Sequence, residues 1–184
     1  HCDCNSFFAS VELLHYPHLR HLPVAVCGSI DDRHGIILAK NEEAKKYHVQ
    51  TAETVWQAKK KCSELILLKP HHSEYRKYYH ILNSIYAQYT DRVEPFGIDE
   101  SWLDMTGSWK LFAAAPVEAA NLLRQQVKVQ TGLTVSIGVS FNKTMAKLAS
   151  DYKKPDAVTE ISRQNFETIV WPMPVTSLLF VGRK

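Results

Sequence analysis

The order in which helical and extended periodicities follow one another constrains this chain more than any single motif. An apolar stretch, "HCDC", reads as a short strand closed by Asp3. Further on, Tyr75, Tyr79, Leu82, Ile85, Tyr86 and Tyr89 recur at helical spacing, which predicts a long amphipathic helix from His72 to Tyr89. "RVEPFG" and "SWLDMT" then read as strands flanking a hairpin at Ile98-Asp99-Glu100. Pro116 opens another helix and Gly132 stops it. In "LTVSIGVS", Leu133, Val135, Ile137 and Val139 alternate with small polar residues, the pattern of a half-buried strand. Strand, helix, strand, strand, helix, strand is the order of a ferredoxin-like split βαβ. The expected fold class is α+β, an antiparallel or mixed sheet with helices on one face and a small α/β unit inserted early. In that arrangement the first strand neighbours the central hairpin, so Asp3 can meet Asp99 and Glu100 at one edge.

The remaining segments fill in around this frame. Asn5 or Ser6 can cap the helix after the first strand. In that helix Phe7, Val11 and Leu14 form a core stripe, while Phe8 points about 100° away and is not needed for it. Pro17 ends the helix, and "PVAVCG" reads as a buried strand. Residues 29–70 form the small inserted unit. "DDRHG" is a turn, "IILA" a strand, "NEEAKKY" a short helix capped by Asn41, "AETVWQAKKKC" another helix and "ELILLK" a strand. Asn142 caps a helix that runs to about Asp151.

Composition excludes little. The chain has 184 residues and a formal charge of +3 with nine histidines uncounted, which permits a polyanionic partner without demanding one. Its cysteines, Cys2, Cys4, Cys27 and Cys62, lack the spacing of a secreted scaffold and read as reduced thiols of a cytoplasmic protein. No apolar run of about 18 residues is present, and no signal peptide is visible, so no membrane partner is expected. The start at His1 within a strand and the end at "LLFVGRK" read as a fragment of a longer protein.

Asp3, Asp99 and Glu100 each have an ordinary explanation when taken singly, as a helix-entry acid or a solvated turn. Together they pose a charge problem. Two carboxylates about 4 Å apart repel by roughly 4 kcal/mol at an effective dielectric near 20. A fold that gathers three needs a cation or must protonate some of them. Hard oxygen ligands without His or Cys suit Mg²⁺ or Mn²⁺. Paired divalent ions on carboxylates serve in-line phosphoryl displacement.

"DCNSFFASVE", "AKNEEAKKYHVQT", "GIDESWLD" and "SIGVSFNKTMAKLASDYKKP" resemble, in order and spacing, the motifs of Y-family translesion DNA polymerases, the DNA polymerase IV and UmuC-like group. The resemblance covers essentially the whole chain. It implies a catalytic palm at 1–28 and 71–172, fingers at 29–70 and the start of a thumb at 173–184. It implies template-directed, error-prone DNA synthesis with primer–template DNA and a dNTP as partners, and a sliding clamp reached through regions outside this chain. Asp3, Asp99 and Glu100, with the Cys4 backbone, match the positions that hold two Mg²⁺ ions. The backbone through Ser6 and Phe7 would follow the triphosphate. Phe8 matches the ring that leaves no room for a ribose 2′-OH. Lys154, before Pro155, matches a triphosphate-binding lysine, and Lys45 a phosphate-contacting residue of the fingers, where Lys acts as a point charge. Lys143, Lys147 and Lys154 are four and seven residues apart, so helical spacing would put all three on one side.

The chain also departs from the pattern. Glu42 stands where Tyr is usual, Asn5 where Asp is frequent, and His48 and Ala52 where many relatives carry Gly. The alternatives are a nucleotidyl cyclase-like palm, against which the inserted unit and Lys154-Pro155 speak, and a non-catalytic DNA-binding module. Cys2-x-Cys4 beside His1, and the repeat of His15, His18 and His21, make zinc conceivable, but no second cysteine pair follows. The tyrosines at 75, 79, 86 and 89 could stack bases but read as core. No role is read for Asp104.

Overall fold

The computed structural model describes residues 1–28 and 35–182. The turn expected at "DDRHG" lies outside the described residues apart from Gly35. In chain order the elements are β1 (Cys2–Cys4), α1 (Phe7–His15), β2 (Val24–Cys27), β3 (Ile37–Lys40), α2 (Glu42–Lys46), α3 (Val55–Lys61), β4 (Ile66–Leu68) and α4 (His72–Tyr86). They continue with β5 (Val93–Pro95), β6 (Glu100–Leu103), α5 (Pro116–Thr131), β7 (Val135–Ser140), α6 (Lys143–Tyr152), β8 (Val158–Ile161) and α7 (Phe166–Val170). The chain divides into two compact units, Ser6–Tyr78 and a second made of His1–Asn5 with the residues from Tyr79 onward.

The unit containing β1 is built on a five-stranded sheet in the order β5-β6-β1-β7-β8. β1 pairs antiparallel with β6 and with β7, and β8 runs parallel to β7. Without β8 this is the ferredoxin-like order expected from the sequence. β8 was not foreseen.

Helices cover both faces, where the sequence suggested one. α4 lies on the face of Ser101, whose hydroxyl bonds Asn83. α6 lies on the opposite face, where Lys147 meets Asp3 and Glu100. This corrects the half-buried reading of β7: Ser136 is as fully buried as Val135. Its small residues make room for a helix rather than for water. At Gly138 an added Cβ would come within 1.8 Å of the Ala146 carbonyl oxygen, so only glycine lets α6 approach this closely. Asn142 caps α6 by accepting from the Met145 amide, as expected. α5 ends at Gly132, which takes the positive φ of 73° that glycine tolerates best.

The unit Ser6–Tyr78 carries a three-stranded sheet, β3-β2-β4, with β2 antiparallel to β3 and parallel to β4. β2 therefore belongs to this sheet. Its core includes Ala25, Cys27, Ile37, Ala44, Val49, Val55, Ala58, Cys62 and Leu65. Asn41 caps α2, and Thr54 with Gln57 forms a reciprocal capping box on α3. His48 and Ala52, the positions that depart from Gly, both adopt positive φ, 59° and 68°. α1 has no side-chain cap, contrary to expectation, because Ser6 itself lies in the left-handed region. α4 ends at Tyr86, one turn before the expected Tyr89. Among the described residues no helix is long and apolar enough to cross a membrane.

Candidate active site

Three acids meet at the end of β1. Asp3 pairs in register with Glu100 of β6 on one side and Ser136 of β7 on the other. Residues directly opposite across strands put their side chains on the same face. Asp99 precedes β6, and its carbonyl accepts the Cys4 amide at 3.0 Å, which ties the hairpin to β1. Burial first, and then the charges of Asp3 and Glu100, push the Asp99 carboxyl up from 3.8 to about 6.

Part of this negative charge is balanced by two lysines. The Lys147 ammonium lies 2.8 Å from Asp3 Oδ2 and 2.7 Å from Glu100 Oε2, and 3.3 Å from Asp151. Burial disfavours its charge, but bonds to Asp3 and Glu100 outweigh this and push its pKa above the ordinary lysine value. Lys154 reaches the same Asp3 oxygen at 2.8 Å and Asp151 at 2.8 Å. Behind them, His1 Nε2 stands 3.2 Å from Glu100 Oε2. Asn5 bonds Ser136 and Thr134 and receives the Asp156 amide, bracing the chain as it leaves β1.

Of the sequence candidates in this unit, Asp3, Asp99, Glu100, the Cys4 backbone and Lys154 come together. Lys143 does not. It pairs with Glu94 at 2.5 Å and lies over the Trp102 ring, while Lys154 falls beyond the end of α6, so the shared helical side does not exist. Asp104 pairs with exposed Arg92. Lys147, Asp151 and His1 were missed. Helical spacing showed that Lys147 had a face, not what that face would meet.

In the unit Ser6–Tyr78, Phe7 is buried and Phe8 half-buried, as their different directions suggested. Ser6 donates to Glu42 at 3.3 Å, and Lys45 pairs with the same Glu42 oxygen at 2.5 Å. Glu42 therefore neutralises the lysine expected to contact phosphate.

As the side chains stand, no group of three or more His, Cys, Asp and Glu among the described residues is arranged around a metal position. The thiols are poor zinc ligands on chemical grounds. Cys2 and Cys4 are buried, and burial pushes both thiols up, away from the thiolate a metal needs. For a hard divalent cation the donor set does fit. Asp3, Asp99 and Glu100 offer carboxylate oxygens only, and together with Asp151 they outnumber the two lysines, Lys147 and Lys154, that meet this cluster.

The impB/mucB/samB family model matches residues 2–151. DNA polymerase IV of Acetivibrio thermocellus is 56% identical over 182 residues, 99% of this chain and 45% of that protein. DNA polymerase IV 1 of Bacillus subtilis is 41% identical over 184 residues, 100% of this chain and 44% of the relative. The chain thus spans somewhat under half the length of these curated relatives. Among solved structures, DinB from Sulfolobus solfataricus superposes with a TM-score of 0.90 over 98% of this chain and 53% of that one. At 24% identity this likeness speaks for the fold alone. A family match over most of the chain, at the residues that carry its acids, makes this protein a member of the impB/mucB/samB family, the Y-family group that its motifs resemble.

Proposed function

We propose that this chain carries the catalytic part of a template-directed DNA polymerase of the translesion type, which adds a dNTP to a primer 3′-OH. The observation that carries the reading is the meeting of Asp3, Asp99 and Glu100, with Asp99 raised to about 6 by burial and by the other two acids. The names of the relatives, DNA polymerase IV, support the same reaction. The five-stranded sheet is the palm, the unit that carries the three-stranded sheet β3-β2-β4 is the fingers, and the segment from residue 173 onward leads into a thumb.

Asp3, Asp99, Glu100 and the Cys4 carbonyl would hold two Mg²⁺ ions, with Mn²⁺ as a substitute. Such ions, when bound, lower the pKa of the attacking hydroxyl and neutralise the leaving pyrophosphate. The chain's own residues do the rest. Lys154 holds the triphosphate as a point charge, and the backbone at Ser6 and Phe7 follows it. Phe8 excludes the ribose 2′-OH. Lys45 reaches phosphate once it leaves Glu42. Lys147 keeps Asp3 and Glu100 side by side against their mutual repulsion. A sliding clamp is the expected recruiter and the cytoplasm the expected compartment.

The test is primer extension by the full-length protein with Mg²⁺ or Mn²⁺. Asp99→Ala is expected to lower extension by at least about 100-fold, the loss typical of removing one electrostatic contact to the transition state. Extension equal to the parent's would defeat the assignment.

A further inference from the structure

Glu12 has no part in the reading above, yet it is only 1% exposed, and a carboxylate is almost never buried so far without partners. Its partners come from one short segment. The His71 amide donates to Oε1 at 3.0 Å, His71 Nδ1 lies 2.8 Å from Oε2, and the Tyr75 hydroxyl donates to Oε1 at 2.5 Å. Burial first, and then the bond to Glu12, push the Tyr75 hydroxyl well above its ordinary pKa, so it remains a donor.

Tyr75 is fully buried, and its ring stacks on Phe8 with centroids 4.2 Å apart and planes 17° from parallel. His72 meets Tyr75 edge-on at 5.6 Å, and Phe7 lies tilted against it at 6.1 Å. The Tyr75 ring is thus held at its sides by packing and at its far end by Glu12. Phe8, only half-buried, takes its orientation from that ring. Both Phe8 and Glu12 belong to α1, one turn apart, so the anchor and the ring it steadies share one helix face.

We propose that Glu12, acting through Tyr75, is the positioning residue for Phe8 and so sets how strictly the protein separates deoxyribo- from ribonucleoside triphosphates. The proposal rests on the reading of Phe8 given above. Steric exclusion works only while the excluding ring does not yield. The added 2′-OH is a single atom, and a loosening of about 0.5 Å is enough to degrade such a site. A buried, charge-assisted bond to the phenol fixes the stack more firmly than a neutral one would.

The test measures kcat and KM for single insertion of a dNTP and the matching rNTP by the full-length protein. The variants are Phe8→Ala, Tyr75→Phe, Glu12→Met and the double variant Phe8→Ala with Tyr75→Phe. Phe8→Ala is expected to remove most of the preference. Tyr75→Phe and Glu12→Met are each expected to lower it by roughly 3- to 10-fold, the scale of one aromatic stack, through a lower KM for the ribonucleotide. In the Phe8→Ala background Tyr75→Phe should add nothing, because the two act as one unit. Parental preference in Tyr75→Phe, alongside its loss in Phe8→Ala, would overturn the inference and leave the polymerase reading intact. Parental preference in Phe8→Ala would overturn the role of Phe8 itself. Tyr75→Phe keeps the ring and its volume, so it reports even where Glu12→Met fails to fold.

Discussion

Two regions of this protein bury carboxylates, and they do it in opposite ways. Glu12 is nearly inaccessible and meets donors at both oxygens, from His71 and Tyr75. At the end of β1, three acids share two lysines, and burial first, then the charges of Asp3 and Glu100, push the Asp99 carboxyl up to about 6. A buried charge matched by donors from its own fold behaves as an anchor. A buried charge in excess of its partners behaves as a vacancy for something positive. Burial alone would have ranked Glu12 as the more unusual residue; only the balance of partners separates the two.

The largest expected effect on stability is at the anchor. Glu12→Met is isosteric enough to keep the packing, but it strands the Tyr75 hydroxyl and the His71 amide. The loss should be about 2–3 kcal/mol in urea unfolding, since the buried Tyr75 hydroxyl is left without its acceptor and the part-buried His71 amide loses its own. A neutral result would mean that Glu12 is not paid for by its donors, and the contrast with the β1 acids would collapse.

The second effect has the opposite sign. The folded-state pKa of Asp99, about 6, lies above its ordinary 3.8, so the folded state binds the extra proton and stability falls as pH rises through that window. Asp99→Asn cannot ionise and escapes the penalty. Without metal it should be more stable than the parent at pH 8 by on the order of 2 kcal/mol, and indistinguishable from it below about pH 4. Thermal melts at the two pH values in chelator check this. Added Mg²⁺ or Mn²⁺ should then stabilise the parent more than the variant. A destabilised Asp99→Asn at pH 8 would place Asp99 with Glu12, among the satisfied acids.

Much of the frame that sets up this contrast was legible in the sequence. The periodicities of α4 and β7 are long enough to stand out, Pro116 and Gly132 bracket α5, and the order of these elements fixes which strands are neighbours, hence Asp3 beside Glu100. What was not legible depends on contact rather than period. Ser136 and Gly138 looked solvent-facing because small residues fit water as well as they fit a helix backbone. β8 is only four residues, Val-Thr-Glu-Ile, too short for its alternation to speak. Lys143 and Lys147 sit one turn apart on α6, yet one meets Glu94 and the other Asp3. Spacing cannot choose between those neighbours. Ser6 looked like a cap by residue type, and its backbone angle prevents it.

The smallest effect sharpens the comparison with a third carboxylate. Asp156 is partly exposed; burial works to raise its pKa, but bonds from Lys128 and Arg124 prevail and lower it. The Lys128 ammonium is 2.7 Å away and the Arg124 guanidinium bonds the other oxygen. The sign is therefore the reverse of that at Asp99. Asp156 contributes stability above its unfolded value near 3.9, and the contribution is lost as pH falls through the lower folded value. Asp156 sits at a φ of 54°, which Asn tolerates as well as Asp, so Asp156→Asn removes the charge without straining the backbone. The variant should be less stable than the parent at pH 7, with the difference shrinking toward pH 2 and also in high salt, because a partly exposed pair is screened. Two Asp→Asn changes in one unit would thus move stability in opposite directions across the same pH range. If both moved it the same way, partner balance would not be what distinguishes these acids.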